Sequence, residues 1–245
     1  LRRWRGSLPP RGARFKLGAA RRLNPVLHLA SENHRMTSQT VIFDLGGVLL
    51  HWQPLTLLQQ LLPHHAPDHE RAQALARQLF QGFDPGSDWA LFDLGQIEPD
   101  ALARRIAQRT GLPVADVQAV IDAIPPHLAT LEGTEALLHE LRAQGHRLCF
   151  LSNMPAPYAE QLLREKPFFS AFEDGIFSAH VQQIKPLPDI FATAQARWPL
   201  RGQPVFIDDV QHNIDAAEQH GWQGIRFETP QQVRADLVGR GYLAA

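Results

Sequence analysis

Short apolar runs alternate with amphipathic segments over most of this chain. Four runs rich in β-branched and aromatic residues predict buried strands, at 40–45 (TVIFDL), 147–153 (RLCFLSN), 204–209 (PVFIDD) and 224–227 (GIRF). A weaker fifth strand is predicted at 175–179 (GIFSA). Apolar residues recur at helical spacing in 133–145, 156–165, 187–197 and 212–220. The alternation predicts an α/β fold, a doubly wound parallel sheet of Rossmann-like type with helices on both faces.

The alternation is interrupted between the first two predicted strands. Residues 54–130 contain amphipathic helical patterns and no strand pattern, and the clearest helices are 69–83 and 98–111. We therefore predict a core formed by 36–53 and 131–245, with 54–130 inserted as an α-helical cap. Open α/β sheets bind ligands at the carboxyl ends of their strands, and an insertion after the first strand stands over that edge. The cap is thus predicted to cover a site.

Composition narrows the class of protein. The 245 residues are 44% hydrophobic and 20% charged, which is ordinary for a globular protein. No apolar run is long enough to cross a bilayer. The single cysteine, Cys149, leaves no intramolecular disulfide, which favours a reducing compartment. We predict a soluble, cytoplasmic protein with no membrane partner, as a monomer or weak homodimer.

Residues 1–35 differ from the rest of the chain in charge. They hold nine Lys/Arg and one acid, Glu32, for a net charge of +8, whereas the remainder holds 15 bases and 24 acids, for −9. Such a segment could be an organelle presequence or an arm that binds nucleic acid. We favour a simpler interpretation, in which Met36 opens the chain and 1–35 is a disordered or non-native extension. No nucleic-acid partner is then expected.

Polar side chains follow the predicted strands at the points where the strands end. They are Asp44, Ser152 with Asn153, Lys185, and Asp208 with Asp209. Each alone is more often a turn residue than a functional one. The carboxyl ends of parallel strands converge on one crevice, however, so their joint occurrence predicts a site.

The charges of this set indicate phosphoryl transfer. The carboxylates of Asp44 and Asp209, with Asp208 as a further candidate, repel one another unless a cation lies among them, and all-oxygen ligation favours Mg²⁺. Lys185 would neutralise phosphoryl charge and Ser152 would donate a hydrogen bond. A carboxylate beside a metal-bound phosphoryl group can attack it and form an aspartyl phosphate. We predict a Mg²⁺-dependent phosphatase acting on a small phosphorylated metabolite.

Four motifs of the chain resemble those of the haloacid dehalogenase-like hydrolase superfamily. In order they read FDLGGVLL, FLSN, KPLPDIF and FIDDVQHNIDAA, and the resemblance covers residues 40–228. The Gly-Gly pair and the cap segment DWALFDLGQIEPD are most similar to the glucose-1-phosphatase-like branch. That branch implies a sugar phosphate as substrate. Trp52 and Trp89 could stack on a sugar, although tryptophans are more often core residues.

The resemblance also implies a role for each motif residue. It implies that Asp44 is the nucleophile and a Mg²⁺ ligand, and that Asp209 and the backbone carbonyl of Gly46 are further metal ligands. It implies that Ser152 and Asn153 bind phosphate and that Lys185 contacts both the phosphate and the nucleophile. Asp208 and Asn213 would have supporting roles. By this resemblance Asn213 takes the place of an acid found in many members.

Gly46 departs from the wider superfamily, which commonly has a second Asp there as general acid and base. General acid catalysis typically contributes ~10² to 10⁴-fold, so its loss predicts slow turnover or a substitute donor. The glucose-1-phosphatase-like branch also has glycine at this position. His51 and Asp93 are candidate donors, although an exposed histidine and a surface turn acid are the commoner interpretations.

Two other functions fit parts of the pattern. In a metal-independent haloacid dehalogenase, Asp44 would attack carbon, and glycine at 46 suits that reaction. Asp208 and Asp209 would hinder such an attack on an anionic substrate in the absence of a metal ion. A catalytically silent phosphate-binding or regulatory protein would keep the site without turnover, and the presence of Asp44 and Lys185 argues against it.

Overall fold

The computed structural model describes residues 38–244. The predictions that residues 1–35 are an extension and that Met36 opens the chain lie outside the described residues. Within them, no helix is long and apolar enough to cross a membrane.

Five parallel strands form one sheet and confirm the predicted α/β fold. They are β1 (Thr40–Phe43), β2 (Arg147–Ser152), β3 (Asp174–Phe177), β4 (Val205–Asp208) and β5 (Gln223–Arg226), in the order β3-β2-β1-β4-β5. Each predicted run overlaps a strand, including the weaker fifth run, and the boundaries agree to within two residues. β1 ends before its predicted boundary, so Asp44 lies just beyond the strand, with its backbone N–H bonded to the carbonyl of Ile207 at 2.9 Å.

Helices fill the connections between the strands. Those between β1 and β2 are α1 (Pro54–Leu61), α2 (His69–Phe80), α3 (Asp88–Asp93), α4 (Pro99–Thr110), α5 (Val114–His127) and α6 (Glu132–Ala143). The later ones are α7 (Ala156–Glu165), α8 (Ser178–Val181), α9 (Pro188–Arg197), α10 (Gln211–Gln219) and α11 (Pro230–Gly239), with 3-10 helices at Gln81–Phe83 and Pro167–Ala171. The sequence predicted helical structure across 54–130 without locating α1, α3 or α5 individually, and it did not predict α8 or α11.

Polar contacts near its N-terminus hold the short helix α3 in place. The Ser87 hydroxyl accepts a hydrogen bond from the N–H of Ala90 at 3.0 Å and caps the helix. Asp88 accepts hydrogen bonds from Arg105 at 2.7 Å and from Arg109 at 3.1 Å. Most residues of α3 are buried, so its position relative to the sheet is fixed.

The two chain segments that lead into and out of helices α1–α5 pair with each other. The N–H of Leu131 donates to the carbonyl of Leu49, and the N–H of His51 donates to the carbonyl of Ala129, each at 2.8 Å. Leu50 and Thr130 form an antiparallel bridge between these bonds. The predicted division into core and cap, with boundaries at 54 and 130, stays a prediction.

Alternate residues of the central strands contribute to separate hydrophobic clusters on the two faces of the sheet. Val41 and Phe43 belong to one cluster, which continues into helices α1–α5. Ile42 and Cys149 belong to the other, with α9 and α10. Burial raises the pKa of the Cys149 thiol to about 11, as expected for a packing residue.

Gly175 in β3 provides a test of this packing. A Cβ at this position would overlap the ring of Phe150 in the adjacent strand. We expect Gly175→Ala to lower the free energy of unfolding by about 1–3 kcal/mol, measured by urea denaturation, because an overfilled core must shift its side chains or backbone. Gly239→Ala is the control, since no heavy atom lies within 4 Å of that Cβ position. Equal stabilities of the two variants would contradict this account.

Candidate active site

The carboxyl edge of the sheet brings the predicted polar residues together. A cavity of about 370 Å³ opens there between the strand ends and helices α3, α5 and α7. Its lining includes Asp44, Gly46, Ser152, Asn153, Lys185, Asp209 and Asn213. Asp208 lies behind this surface and is fully buried. The set predicted from strand ends is therefore assembled in space, while the roles implied for its members stay predictions.

The ammonium group of Lys185 is the electrostatic centre of the site. Its Nζ lies 2.6 Å from Asp208 Oδ2 and 2.9 Å from Asp44 Oδ1, and the lysine is 2% exposed. Burial lowers the pKa of Lys185, but the charges of Asp208 and Asp44 outweigh burial and raise it overall. The lysine therefore stays positively charged between two carboxylates.

Asn153 fixes the backbone that carries Lys185. Its Nδ2 donates to the Lys185 carbonyl at 2.9 Å, and its Oδ1 accepts from the Lys185 N–H at 2.8 Å. Both ends of the amide thus join the end of β2 to the segment before α9. Sequence analysis missed this link because only the fold brings residues 32 positions apart into contact. Contact of Asn153 with phosphate stays a prediction.

Asp208 and Asn213 form a buried support behind the cavity. Asp208 accepts hydrogen bonds from Asn213 Nδ2 at 3.0 and 3.1 Å and from the N–H of Val210 at 2.8 Å, in addition to its contact with Lys185. Both oxygens of Asp208 are therefore bonded within the protein. This arrangement fits a carboxylate that positions Lys185 and the start of α10.

Asp44, Asp208 and Asp209 each offer an oxygen within 4.8 Å of the others, the arrangement of a cation site. The pKa of Asp44 is raised to about 7: burial raises it most, Lys185 lowers it, and the charges of Asp208 and Asp209 also raise it. Burial, followed by Asp208, raises the pKa of Asp209 to about 6. Asp44 Oδ1 is buried and lacks a well-directed hydrogen bond within the described residues, despite its proximity to Lys185. Three crowded carboxylates with all-oxygen donors fit Mg²⁺.

The two glycines after Asp44 meet different surroundings. Gly47 has φ +76°, and a Cβ there would overlap the carboxylate of Asp209, so a side chain would displace that acid. Apart from its two chain neighbours, no heavy atom of residues 38–244 lies within 4 Å of a Cβ built at Gly46, which lines the cavity. Space alone would therefore admit the acid that the wider superfamily has at this position.

The structure distinguishes the two candidate proton donors. Asp93, at the end of α3, is 5% exposed and lines the cavity, so it is not a surface turn acid. The pKa of Asp93 is raised to about 8, mainly by burial, with the charge of Lys185 lowering it and that of Asp44 raising it. His51 does not line this cavity; it lines a separate surface depression beside Gly47 and Phe227.

A serine that sequence analysis missed fixes Asp93 relative to the sheet. The Ser178 hydroxyl, fully buried after β3, donates to the backbone carbonyl of Asp93 at 2.6 Å and accepts from the N–H of Met154 at 2.8 Å. The Asp93 carboxyl itself makes no hydrogen bond or ion pair with any other residue in the range 38–244. Its backbone is thus anchored while its carboxyl remains available in the cavity.

Comparison with known proteins places these residues in a family. A model of the haloacid dehalogenase-like hydrolases matches residues 39–221, which run from β1 through α10. The sesquiterpene phosphatase astK of Aspergillus oryzae (strain ATCC 42149 / RIB 40) is 27% identical over 194 residues, covering 78% of this chain and 90% of that protein.

Solved structures share the fold at lower identity. The HAD family enzyme bt-2542 of Bacteroides thetaiotaomicron, in complex with magnesium and inorganic phosphate, has a TM-score of 0.60 and 18% identity, covering 78% of this chain and 94% of that chain. A predicted HAD-like family hydrolase from Porphyromonas gingivalis has a TM-score of 0.61 and 23% identity, covering 82% and 98%. The L-2-haloacid dehalogenase of Xanthobacter autotrophicus has a TM-score of 0.59 and 16% identity, covering 82% of each chain.

The raised pKa of Asp93 predicts a pH dependence of stability in the metal-free protein. Its pKa is about 8 in the folded state and about 4 in the unfolded state. Between these values the folded protein holds a proton that the unfolded chain lacks. The resulting stability is complete below about pH 4 and is lost as pH rises towards 8, with a slope of ~1.4 kcal/mol per pH unit.

We expect Asp93→Asn to reduce the slope by this ~1.4 kcal/mol per pH unit in urea unfolding experiments with EDTA at pH 5, 6, 7 and 8, while the raised pKa values of Asp44 and Asp209 keep a further dependence on pH below about pH 7. Asp84→Asn, which replaces an exposed acid at the mouth of the cavity, is the control and should retain the wild-type slope. A slope unchanged in Asp93→Asn would show that Asp93 ionises normally in the folded protein.

Proposed function

Because the chain belongs to the haloacid dehalogenase-like hydrolase family, we propose that it is a Mg²⁺-dependent phosphatase of a small phosphorylated metabolite. One observation carries the proposal: the Asp44 carboxylate lies at the cavity surface, 2.9 Å from a buried ammonium group and within a cluster of three acids. This arrangement gives a phosphoryl group a nucleophile, a cation-binding face and a fixed positive charge.

Asp44 is the nucleophile in this proposal. Its carboxylate attacks phosphorus, the bond from phosphorus to the alcohol oxygen breaks, and an aspartyl phosphate forms on Asp44. Lys185 balances the charge of the transferred group, and Ser152 donates a hydrogen bond to it. Asp44, Asp209 and the backbone carbonyl of Gly46 would hold Mg²⁺, which would neutralise the acids and draw electron density from the phosphoryl oxygens. Water then cleaves the acyl phosphate.

The competing functions fit these contacts less well. A dehalogenase without metal would leave Asp44 buried among two further acids, and burial and their charges raise its pKa, so less of it is ionised to act as a nucleophile. A silent binding protein would not need a carboxylate oxygen left without a well-directed hydrogen bond. The name of the Aspergillus relative, a phosphatase at 27% identity, also favours phosphomonoester hydrolysis.

The class of alcohol in the substrate is a narrower question. A sugar phosphate is the expectation from the resemblance to glucose-1-phosphatase-like enzymes. A bound sugar requires hydrogen-bonding partners for its hydroxyl groups, whereas an apolar alcohol requires an apolar wall. The side chains that line the cavity beyond the phosphoryl site therefore decide between these classes.

Release of inorganic phosphate from p-nitrophenyl phosphate and from a panel of sugar, nucleotide and alkyl monophosphates tests the phosphatase function. We expect activity with Mg²⁺ and none with EDTA, and a loss of at least ~10³-fold in Asp44→Asn because the nucleophile is gone. Asp209→Asn should raise the Mg²⁺ concentration for half-maximal activity more than ~tenfold, since even outer-shell changes cost about 10- to 100-fold in metal affinity.

Glu160→Gln, which changes an exposed acid on α7, is the matched control for loss of a carboxylate and should behave as wild type. Absence of phosphate release from every compound by folded, Mg²⁺-supplied protein would overturn the phosphatase function. Release that persists in Asp44→Asn would overturn the assignment of the nucleophile.

Asp93 supplies the proton that Gly46 cannot supply in this mechanism. Its carboxyl faces the cavity without a partner among the described residues, and its raised pKa keeps it protonated near neutral pH. It would donate that proton to the departing alkoxide and, as a carboxylate, accept one from the water that cleaves the aspartyl phosphate. The hydrogen bond from Ser178 holds the backbone of this donor in place.

Dependence on the leaving group distinguishes a proton donor from a residue that only supports the fold. In Asp93→Asn we expect kcat/KM for alkyl phosphates to fall ~10² to 10⁴-fold, and kcat/KM for p-nitrophenyl phosphate to fall much less, because nitrophenolate leaves without a proton. His51→Asn is the control, with both values expected near wild type. Equal losses for both substrates in Asp93→Asn would contradict proton donation.

A further inference from the structure

We propose that the substrate is a phosphomonoester of an apolar alcohol, with its hydrocarbon portion in the part of the cavity away from Asp44. The inference rests on the proposed phosphatase function and specifies its substrate class. It replaces the sugar phosphate expected from sequence resemblance. Its basis is the separation of polar and apolar side chains around the cavity.

Apolar side chains form the wall of the cavity that faces the phosphoryl site. They are Trp52, Phe83, Trp89, Ile124, Leu128 and Tyr158. Apart from Asp93 on α3, the charged and amide groups described above come from the carboxyl edge of the sheet and the connections that follow its strands. A phosphomonoester of an apolar alcohol has the same division, with a dianionic head and a hydrocarbon body. The two ends of the cavity therefore match the two ends of such a molecule.

The wall offers few partners for sugar hydroxyls. The Tyr158 hydroxyl donates to the carbonyl of Ile121 at 2.6 Å, so the cavity meets mainly its ring. Asn213 donates to Asp208, and Asp93 is the proposed proton donor. Asp84 and His212 are exposed, at the mouth. Aromatic rings can stack on sugars, but each buried hydroxyl left without a partner costs about 1–3 kcal/mol.

An unusual backbone conformation places Phe83 in this wall. Gln81, Gly82 and Phe83 have φ of +50°, +65° and +57°, a left-handed region that costs non-glycine residues ~1 kcal/mol or more each. The Gln81 side chain stabilises the turn by accepting a hydrogen bond from the N–H of Asp88 at 3.1 Å. Phe83 is held there against its intrinsic backbone preference.

The rings of this wall support one another and leave apolar surface facing the cavity. Phe83 stacks on Phe80 at 5.3 Å between ring centroids and meets Trp89 and Trp52 edge-on at 5.9 and 6.1 Å. Phe83 and Trp52 are only half-buried by the protein. A hydrocarbon ligand that covered this remaining surface would remove it from water and stabilise the complex by ~25 cal/mol per Å². A hydrated sugar could not provide this stabilisation.

A series of n-alkyl monophosphates from ethyl to octyl tests the inference. Their leaving groups are chemically alike, so chain length changes burial and little else. With Mg²⁺, we expect kcat/KM to rise about three- to fourfold per methylene until the cavity is filled, the factor for complete burial of a methylene. Octyl phosphate should exceed glucose 1-phosphate and glucose 6-phosphate by more than ~10²-fold on the same scale.

A substitution in the apolar wall tests whether these side chains cause the dependence of kcat/KM on chain length. Asparagine tolerates a left-handed φ better than most residues, so Phe83→Asn removes the ring and is compatible with the turn. It should lower kcat/KM for octyl phosphate more than for ethyl phosphate and flatten the dependence on chain length. Leu163→Asn, which changes an exposed leucine of α7 away from the cavity, is the matched control and should keep the steep dependence.

Binding of octylphosphonate and ethylphosphonate, measured by calorimetry with Mg²⁺, tests the same surface without turnover. Tighter binding of octylphosphonate, reduced in Phe83→Asn, would support the inference. Equal affinities, or a flat chain-length series beside efficient hydrolysis of sugar phosphates, would overturn the inference and leave the phosphatase function intact. Tight binding of octylphosphonate with no hydrolysis of any phosphate would support an apolar site and overturn the phosphatase function.

Discussion

The buried ammonium group of Lys185 is the constraint on which the rest of the site depends. A charge that is 2% exposed is tolerated only when paired and hydrogen-bonded, and Asp44 and Asp208 supply those partners from the ends of neighbouring strands. Asn153 fixes the backbone of the lysine, and Asn213 fixes Asp208. The ends of four strands are therefore joined at one lysine, two of them through its charge and one through its backbone.

That charge does not balance the acids around it. One ammonium faces Asp44, Asp208 and Asp209, and burial together with mutual repulsion raises the pKa of Asp44 to about 7 and that of Asp209 to about 6. A cation among their oxygens would reverse both shifts and leave Asp44 ionised at neutral pH, which a nucleophile requires. Without a cation, the crowding of these carboxylates is unfavourable. The same crowding makes the site suitable for Mg²⁺.

The elements predicted from sequence are those whose pattern is local. Runs such as TVIFDL are buried on both faces, so composition alone marks them, and the convergence of strand ends follows from the parallel sheet. The link between Asn153 and Lys185, the burial of Asp93 and the left-handed turn at Phe83 were not predictable in this way. Each depends on contacts between segments distant in sequence, or on a backbone conformation that opposes intrinsic preference.

Asp93 and every residue of the apolar wall except Tyr158 come from the chain between β1 and β2, and this origin divides the functions of the site. In the proposed mechanism the sheet edge supplies the nucleophile and the fixed charge, whereas the chain between β1 and β2 supplies the proton donor and most of the surface for the alcohol. With glycine at 46, protonation of the leaving group would depend on α3, which Ser178 ties to the sheet. Hydrolysis would then require that the helices that recognise the alcohol also be in place over the phosphoryl group. Recognition and proton transfer would be coupled through one short helix.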